Sequence, residues 1–236
     1  MPDGALLNVA QAARHTWWRV LDYAFVVGRQ IEGVLRPGGD DAYRSPADPI
    51  PPQVLLVPGV YESWHFMRPV AALLHGRGHV VHVLPALGYN RGPIVDGARV
   101  LGAYLRAHDL HDVVLVAHSK GGLIGKRAML AEDPDGRIRC MVAIATPFAG
   151  THLARWVPLA AVRAFVPTDA TLVALAAEQE VNSRIVSMFS VWDPHIPRGS
   201  VLEGATNLEL ATPGHFRVLA DPSLDEVLAR AVRPDG

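Results

Sequence analysis

At 236 residues, half of them hydrophobic and 19% charged, the chain carries enough apolar material for one sizeable core and too little length for two. Its 22 basic and 23 acidic residues are interspersed and leave a formal net charge of -1, which argues against a polyanion-binding surface and against nucleic acid as a partner. The single cysteine, Cys140, excludes an intramolecular disulfide, and its place in the apolar stretch "CMVAIATP" reads as a buried, inert thiol.

The chain is expected to be one domain in three stretches: a helical extension over 1–35, a connector over 36–52 and a core over 53–236. The opening "MPDGALLNVAQAARHTWW" has no basic segment followed by an unbroken apolar run, so no secretory leader is expected and a cytoplasmic location is predicted. Trp17, Trp18, Val20, Leu21, Tyr23, Phe25, Val26 and Val27 cluster, but Arg19, Asp22 and Arg29 interrupt them, which predicts an amphipathic helix rather than a membrane span. Such a face is expected to pack on its own domain; contact with a lipid surface or with a second copy is the alternative. "RPGGDDAYRSPADPIPP", rich in Pro, Gly and Asp, then reads as the connector.

From there the elements alternate. "VLLVPG" reads as a buried strand, "SWHFMRPVAALLHGRG" as a helix stopped by glycine, "HVVHVLPA" as a strand and "PIVDGARVLGAYLRAHDL" as a helix with proline in its first turn. "DVVLVA" is a strand, "KGGLIGKRAMLAED" a helix and "CMVAIAT" a further strand. Between Thr146 and Ile185 the rhythm breaks into the helical pieces "ARWVPLAAVRAF" and "ATLVALAAEQ". "IVSMFSVWD" and "TNLELATPG" then read as the last strands and "SLDEVLARAV" as a closing helix. Strands alternating with helices predict an α/β fold, with about six mostly parallel strands covered on both faces. The irregular segment falls where such folds place pocket walls, beyond the carboxyl ends of the strands.

"VVLVAHSKGG" is a strand that turns sharply into a helix, with Ser119 at the corner and the small residues Ala117 and Gly121 two positions to either side. Small flanks are needed there because the turn strains the serine and presses its neighbours against the adjacent strand and helix. Together with "VPGVYES", "NRGP", "IATPFAGT", "VWDPHIP" and "TPGHF", this stretch resembles the α/β-hydrolase superfamily, and within it compact bacterial lipases whose nucleophile elbow also begins with alanine. The resemblance covers about Val54 to Leu219 and implies the α/β-hydrolase fold with a small or absent lid.

A serine hydroxyl is a weak nucleophile until a base takes its proton, and the base must be held in the right tautomer by a carboxylate. Of the 11 histidines, His79, His82, His108 and His111 lie on a strand and a helix end, a spacing that without a convergent carboxylate or cysteine predicts no metal site. His118 reads as a packing or hydrogen-bonding residue beneath the corner. Downstream remain His152, His195 and His215. His215, on the loop after the last strand, is where the resemblance puts the base; Asp193, ending the preceding strand, is its orienting carboxylate, and His195 reads as a loop-fixing residue. The oxyanion donors are expected to be the N–H groups of Val60 and Lys120, although Pro58-Gly59 stands where the resembling enzymes usually have His-Gly. Tyr61, Trp64, Phe148, Trp156 and Phe165 are the expected walls of the substrate pocket. Lys120, a cation at a helix start, is expected to pair with Glu62. These expectations amount to a serine hydrolase of carboxylic esters that needs no metal or organic cofactor. Acyl transfer on the same triad, or a binding module without turnover, stand as alternatives.

Overall fold

The computed structural model describes residues 3–35, 39, 41–197 and 199–232, with side chains from residue 9 onward. A long helix, α1 (Asp3–Leu35), is followed by one helical turn, α2 (Asp41–Arg44), and by β1 (Ile50–Val57), α3 (Arg68–Gly76), β2 (His79–Val83) and α4 (Ile94–Ala107). Then come β3 (Val113–His118), α5 (Lys120–Ala131), β4 (Ile138–Ile144), α6 (Ala160–Arg163), α7 (Ala170–Ala177), β5 (Ile185–Ser190), β6 (Thr206–Leu210) and α8 (Leu224–Ala231). The six strands form one sheet in the order β2-β1-β3-β4-β5-β6, and every adjacent pair is parallel.

The strands read as apolar runs because both faces of the sheet are covered. Along β1, Leu55 and Val57 enter a core with Leu101 of α4, Ile124 of α5 and Leu172 of α7, while Val54 and Leu56 enter a second core with Val70 of α3 and Leu228 of α8. All of β3 is buried. Two local expectations are corrected. β1 starts at Ile50, inside the stretch read as connector, and that stretch also forms α2. The piece "ARWVPLAAVRAF" is not one helix: Pro158 separates a short 3-10 turn, His152–Trp156, from α6.

No helix among the described residues is long and apolar enough to cross a membrane. α1 lies against the body through one face. His15 stacks on Trp192 at 4.9 Å, Trp18 approaches the same ring at 5.6 Å, Phe25 packs against the second core and Gly33 lies beside His65. Between them Asp22 is fully buried.

Candidate active site

Ser119 sits between the end of β3 and the start of α5 with φ 50° and ψ -118°, a region that L side chains rarely enter. The corner is held by the Ser119 N–H, which donates to the Ile144 carbonyl of β4 at 2.8 Å. Glycine is obligatory just inside the helix: a Cβ on Gly121 would stand 2.1 Å from the Val57 carbonyl oxygen, and one on Gly122 2.0 Å from Thr146 Oγ1. The turn therefore presents the serine hydroxyl at the carboxyl edge of the sheet, facing the loops that follow β5 and β6.

Those loops bring the other two groups. His215 Nε2 lies 3.0 Å from Ser119 Oγ, and its Nδ1 lies 2.7 Å from Asp193 Oδ2. The other carboxylate oxygen, Oδ1, accepts the N–H groups of His195 at 2.7 Å and Ile196 at 3.0 Å, which fixes the carboxylate plane. Burial works against the charge on Asp193, but the His215 charge, its hydrogen bond and the two amides outweigh it and hold this carboxyl below the usual carboxylate range. Burial likewise disfavours the imidazolium of His215. Asp193 above all, then Glu62 and Asp22, overcome that and raise its pKa above the ordinary 6.5.

Of these carboxylates, Asp22 was not expected near the site, and Glu62 was expected there with a different partner. Asp22 of α1 accepts three backbone N–H groups, from His215 at its Oδ2 and from Phe216 and Arg217 at its Oδ1, each at 2.9 Å. The N-terminal helix thus clamps the loop that carries the imidazole. Glu62, buried beneath Ser119 and His215, accepts the Gly59 N–H at 2.7 Å and faces His118 Nδ1 at 2.9 Å, while His118 Nε2 donates to the His215 carbonyl at 3.0 Å. One buried chain of contacts therefore runs from the loop after β1, under the serine, to the backbone of His215. The only sequence signal for Asp22 was an acid interrupting an apolar helix face.

The expected Lys120–Glu62 ion pair does not form. Glu62 is occupied as described, and Lys120 Nζ instead donates to the carbonyls of Asn90, at 2.8 Å, and Gly92. Both carbonyls carry the partial negative charge that a cation at a helix start needs. Burial pushes the Lys120 pKa down to about 8. Asn90 also donates its Nδ2 to the Pro58 carbonyl at 2.7 Å. Pro58-Gly59 is thereby braced from two sides, by Asn90 and by Glu62, although it lacks the imidazole of the resembling enzymes. The Val60 N–H makes no hydrogen bond among the described residues, and the Lys120 N–H, first of α5, is one of the donors a helix leaves open.

A largely apolar cavity of about 270 Å³ opens at Ser119 and His215. Tyr61 and Phe165 line it, together with Val60, Leu153, Val162 and Ile196. Three expected wall residues do not. Trp64 stacks on His65 at 4.2 Å and meets Tyr43 on the α1 side of the molecule, Phe148 is buried in the first core, and Trp156 is 74% exposed beneath Arg155. His195, read only as a loop-fixing residue, does line the cavity, with its ring centroid 5.1 Å from that of His215. Burial, followed by the His215 charge, pushes its pKa down to about 4, so it stays neutral. An activated hydroxyl, a carboxylate-oriented base, open N–H donors and an apolar cavity together can attack an acyl carbon and hold the charge that develops on its oxygen.

No family model matches the chain, and no curated protein matches it in sequence. Solved structures do. A Bacillus licheniformis lipase in its mature form aligns with a TM-score of 0.62 at 15% identity, over 80% of this chain and 96% of its own. A Paleococcus ferrophilus monoacylglycerol lipase gives 0.57 at 16%, over 79% and 94%. An extracellular α/β-hydrolase from a Paenibacillus species, described as sharing structural and functional homology with tobacco salicylic acid binding protein 2, gives 0.56 at 17%, over 78% and 100%. At such identities the likeness is one of fold.

Proposed function

We propose that this chain, which has the α/β-hydrolase fold, is a serine hydrolase that cleaves carboxylic esters through an acyl-enzyme. The observation that carries the reading is the hydrogen-bonded chain Asp193–His215–Ser119 at the mouth of the cavity. Ser119 Oγ attacks the ester carbonyl as His215 Nε2 takes its proton; Asp193 holds the imidazole with Nδ1–H toward the carboxylate and stabilises the cation that forms. The oxyanion is received by the N–H groups of Val60 and Lys120. His215 then returns the proton to the leaving alcohol, and a water activated by the same imidazole releases the acid. The scarcity of charge on the cavity wall favours apolar acyl groups, and the lipase names of two fold neighbours support the same substrate class. His195 is the weaker candidate for the base, because an imidazole with a pKa near 4 has little proton affinity at neutral pH.

The direct test needs no knowledge of the natural ester. A fluorophosphonate probe is expected to label the folded protein at the peptide containing Ser119, and Ser119→Ala is expected to abolish both labelling and hydrolysis of a short-chain nitrophenyl ester. Labelling elsewhere, or none in folded protein, would overturn the proposal.

A further inference from the structure

α1 has one seam covered by the body and, on its opposite face, an apolar seam that the body leaves bare. The covered seam runs through His15, Trp18, Asp22, Phe25 and Arg29. Two residues further along the chain, about 200° around a helix of 3.6 residues per turn, the opposite face carries Trp17, Val20, Ala24, Val27, Ile31 and Val34, in alternating steps of three and four. Ala10 and Ala13 continue the pattern toward the N-terminus, and both are exposed. The large members are bare: Trp17 is 60% exposed, Val20 52%, Val27 55%, Ile31 53% and Val34 77%. From the periodicity, charge and extent of this stripe we infer that it is the interface of a homodimer, in which the α1 helices of two copies pack seam to seam.

The periodicity selects a helical partner. A strict seven-residue repeat drifts by about 20° per heptad around a straight helix, so a supercoiling second helix can follow it whereas a flat surface cannot. Charge selects a copy of the same helix. α1 contains no lysine, the acids Asp22 and Glu32, the two whose side chains are described, turn away from the stripe, and Arg14 and Arg19 lie over the rings of Trp18 and Trp192. Two such stripes meet without like charges in opposition, and the cationic rim with which interfacial helices grip anionic lipid is missing. Small residues, Ala10, Ala13, Ala24 and Gly28, let the backbones approach. The extent is sufficient as well. At 1.5 Å per residue the stripe from Ala10 to Val34 is about 36 Å long, and pairing it with its own copy covers an area on the order of the 800 Å² per partner of a standard interface.

The measurement is mass in solution. Sedimentation equilibrium of the full chain is expected to give twice the 25.5 kDa chain mass at micromolar concentration. The doubly substituted V20E/V27E chain is expected to sediment at the single mass, with unchanged circular dichroism. Both residues are exposed and lie outside the proposed catalytic machinery, so ester turnover per chain should stay within about twofold of wild type. Ala24→Glu is a second, milder disruption in case the double variant misfolds. A wild-type chain that stays monomeric at 100 micromolar, or a folded double variant that still dimerises, would overturn the inference. So would a monomeric wild type that cosediments with phosphatidylcholine–phosphatidylglycerol vesicles, and it would assign the stripe to lipid. The sedimentation and vesicle readouts that decide the inference do not depend on the proposed activity.

Discussion

At the residue scale, three histidines follow the serine, and their surroundings rather than their type separate them. His215 sits among Asp193, Glu62 and Asp22, so its cation is favoured; His195, one ring away, is desolvated and then repelled by that cation. Ser119→Ala, His215→Ala and Asp193→Asn are each expected to cost several orders of magnitude in kcat while leaving the fold intact, because the three act as a unit. His195→Ala is expected to alter KM more than kcat; were it as damaging as His215→Ala, the base would be misassigned. A pH profile adds a signed expectation. His215 must be neutral to accept a proton, and its pKa lies above 6.5, so kcat/KM should rise with pH through a midpoint above that value. In Asp22→Asn one of the carboxylates favouring the cation is gone, and the midpoint should move to lower pH. The same change weakens three buried N–H bonds, with an expected loss of stability on the order of 1.5–3 kcal/mol by thermal melting. Ser119, Asp193 and His215, which the structure brings within hydrogen-bond reach of one another, could be singled out in the sequence through the elbow pattern and their chain order. Asp22 could not, since its partners lie nearly the whole chain away. Trp64, Phe148 and Trp156 were misplaced for a related reason: an aromatic on a loop is a wall, a core residue or a surface residue according to where its side chain turns, which composition does not record.

At the scale of elements, alternation of strand and helix was legible because a parallel sheet covered on both sides demands apolar strands and amphipathic helices in turn. What the pattern hides is how the loops brace one another. The turn after β1 departs from the histidine-bearing form, yet its Gly59 amide ends on Glu62, its Pro58 carbonyl on Asn90, and Asn90 in turn on the Lys120 ammonium. The two contacts of Asn90 join segments about 30 residues apart, so helix-dipole reasoning correctly required an acceptor for Lys120 but chose the wrong one. Glu62→Gln tests the brace. The neutral amide cannot match the carboxylate toward both Gly59 and His118, and the Val60 donor should drift. We expect kcat to fall about 10–100-fold with KM nearly unchanged, less than the 10²–10³ that follows removal of an oxyanion donor outright. An unaltered kcat would mean that Asn90 alone positions the loop.

At the scale of the whole molecule, the segment between β4 and β5 walls the cavity with a 3-10 turn and the short α6, while α7 buries Leu172 and Leu175 in the first core. Little of it is free to swing. Dispersed short- and medium-chain esters should therefore be hydrolysed directly, and rate plotted against tributyrin concentration should pass the solubility limit smoothly; a sharp break there, with almost no rate below it, would point to a moving lid. α1 carries the opposite lesson, since an element outside the sheet completes the site within it. The Asp22 carboxylate and the His215 amide that it clamps are separated by 193 positions in the chain. A ribosome adding 5–20 residues per second makes the carboxylate roughly 10–40 s before the amide. During that interval α1 has been made while its dock has not, and Ser119 exists without the imidazole it faces in the folded chain. α1 thus waits for a loop made 193 residues later, and Ser119 meets the His215 imidazole only once that loop has been synthesised.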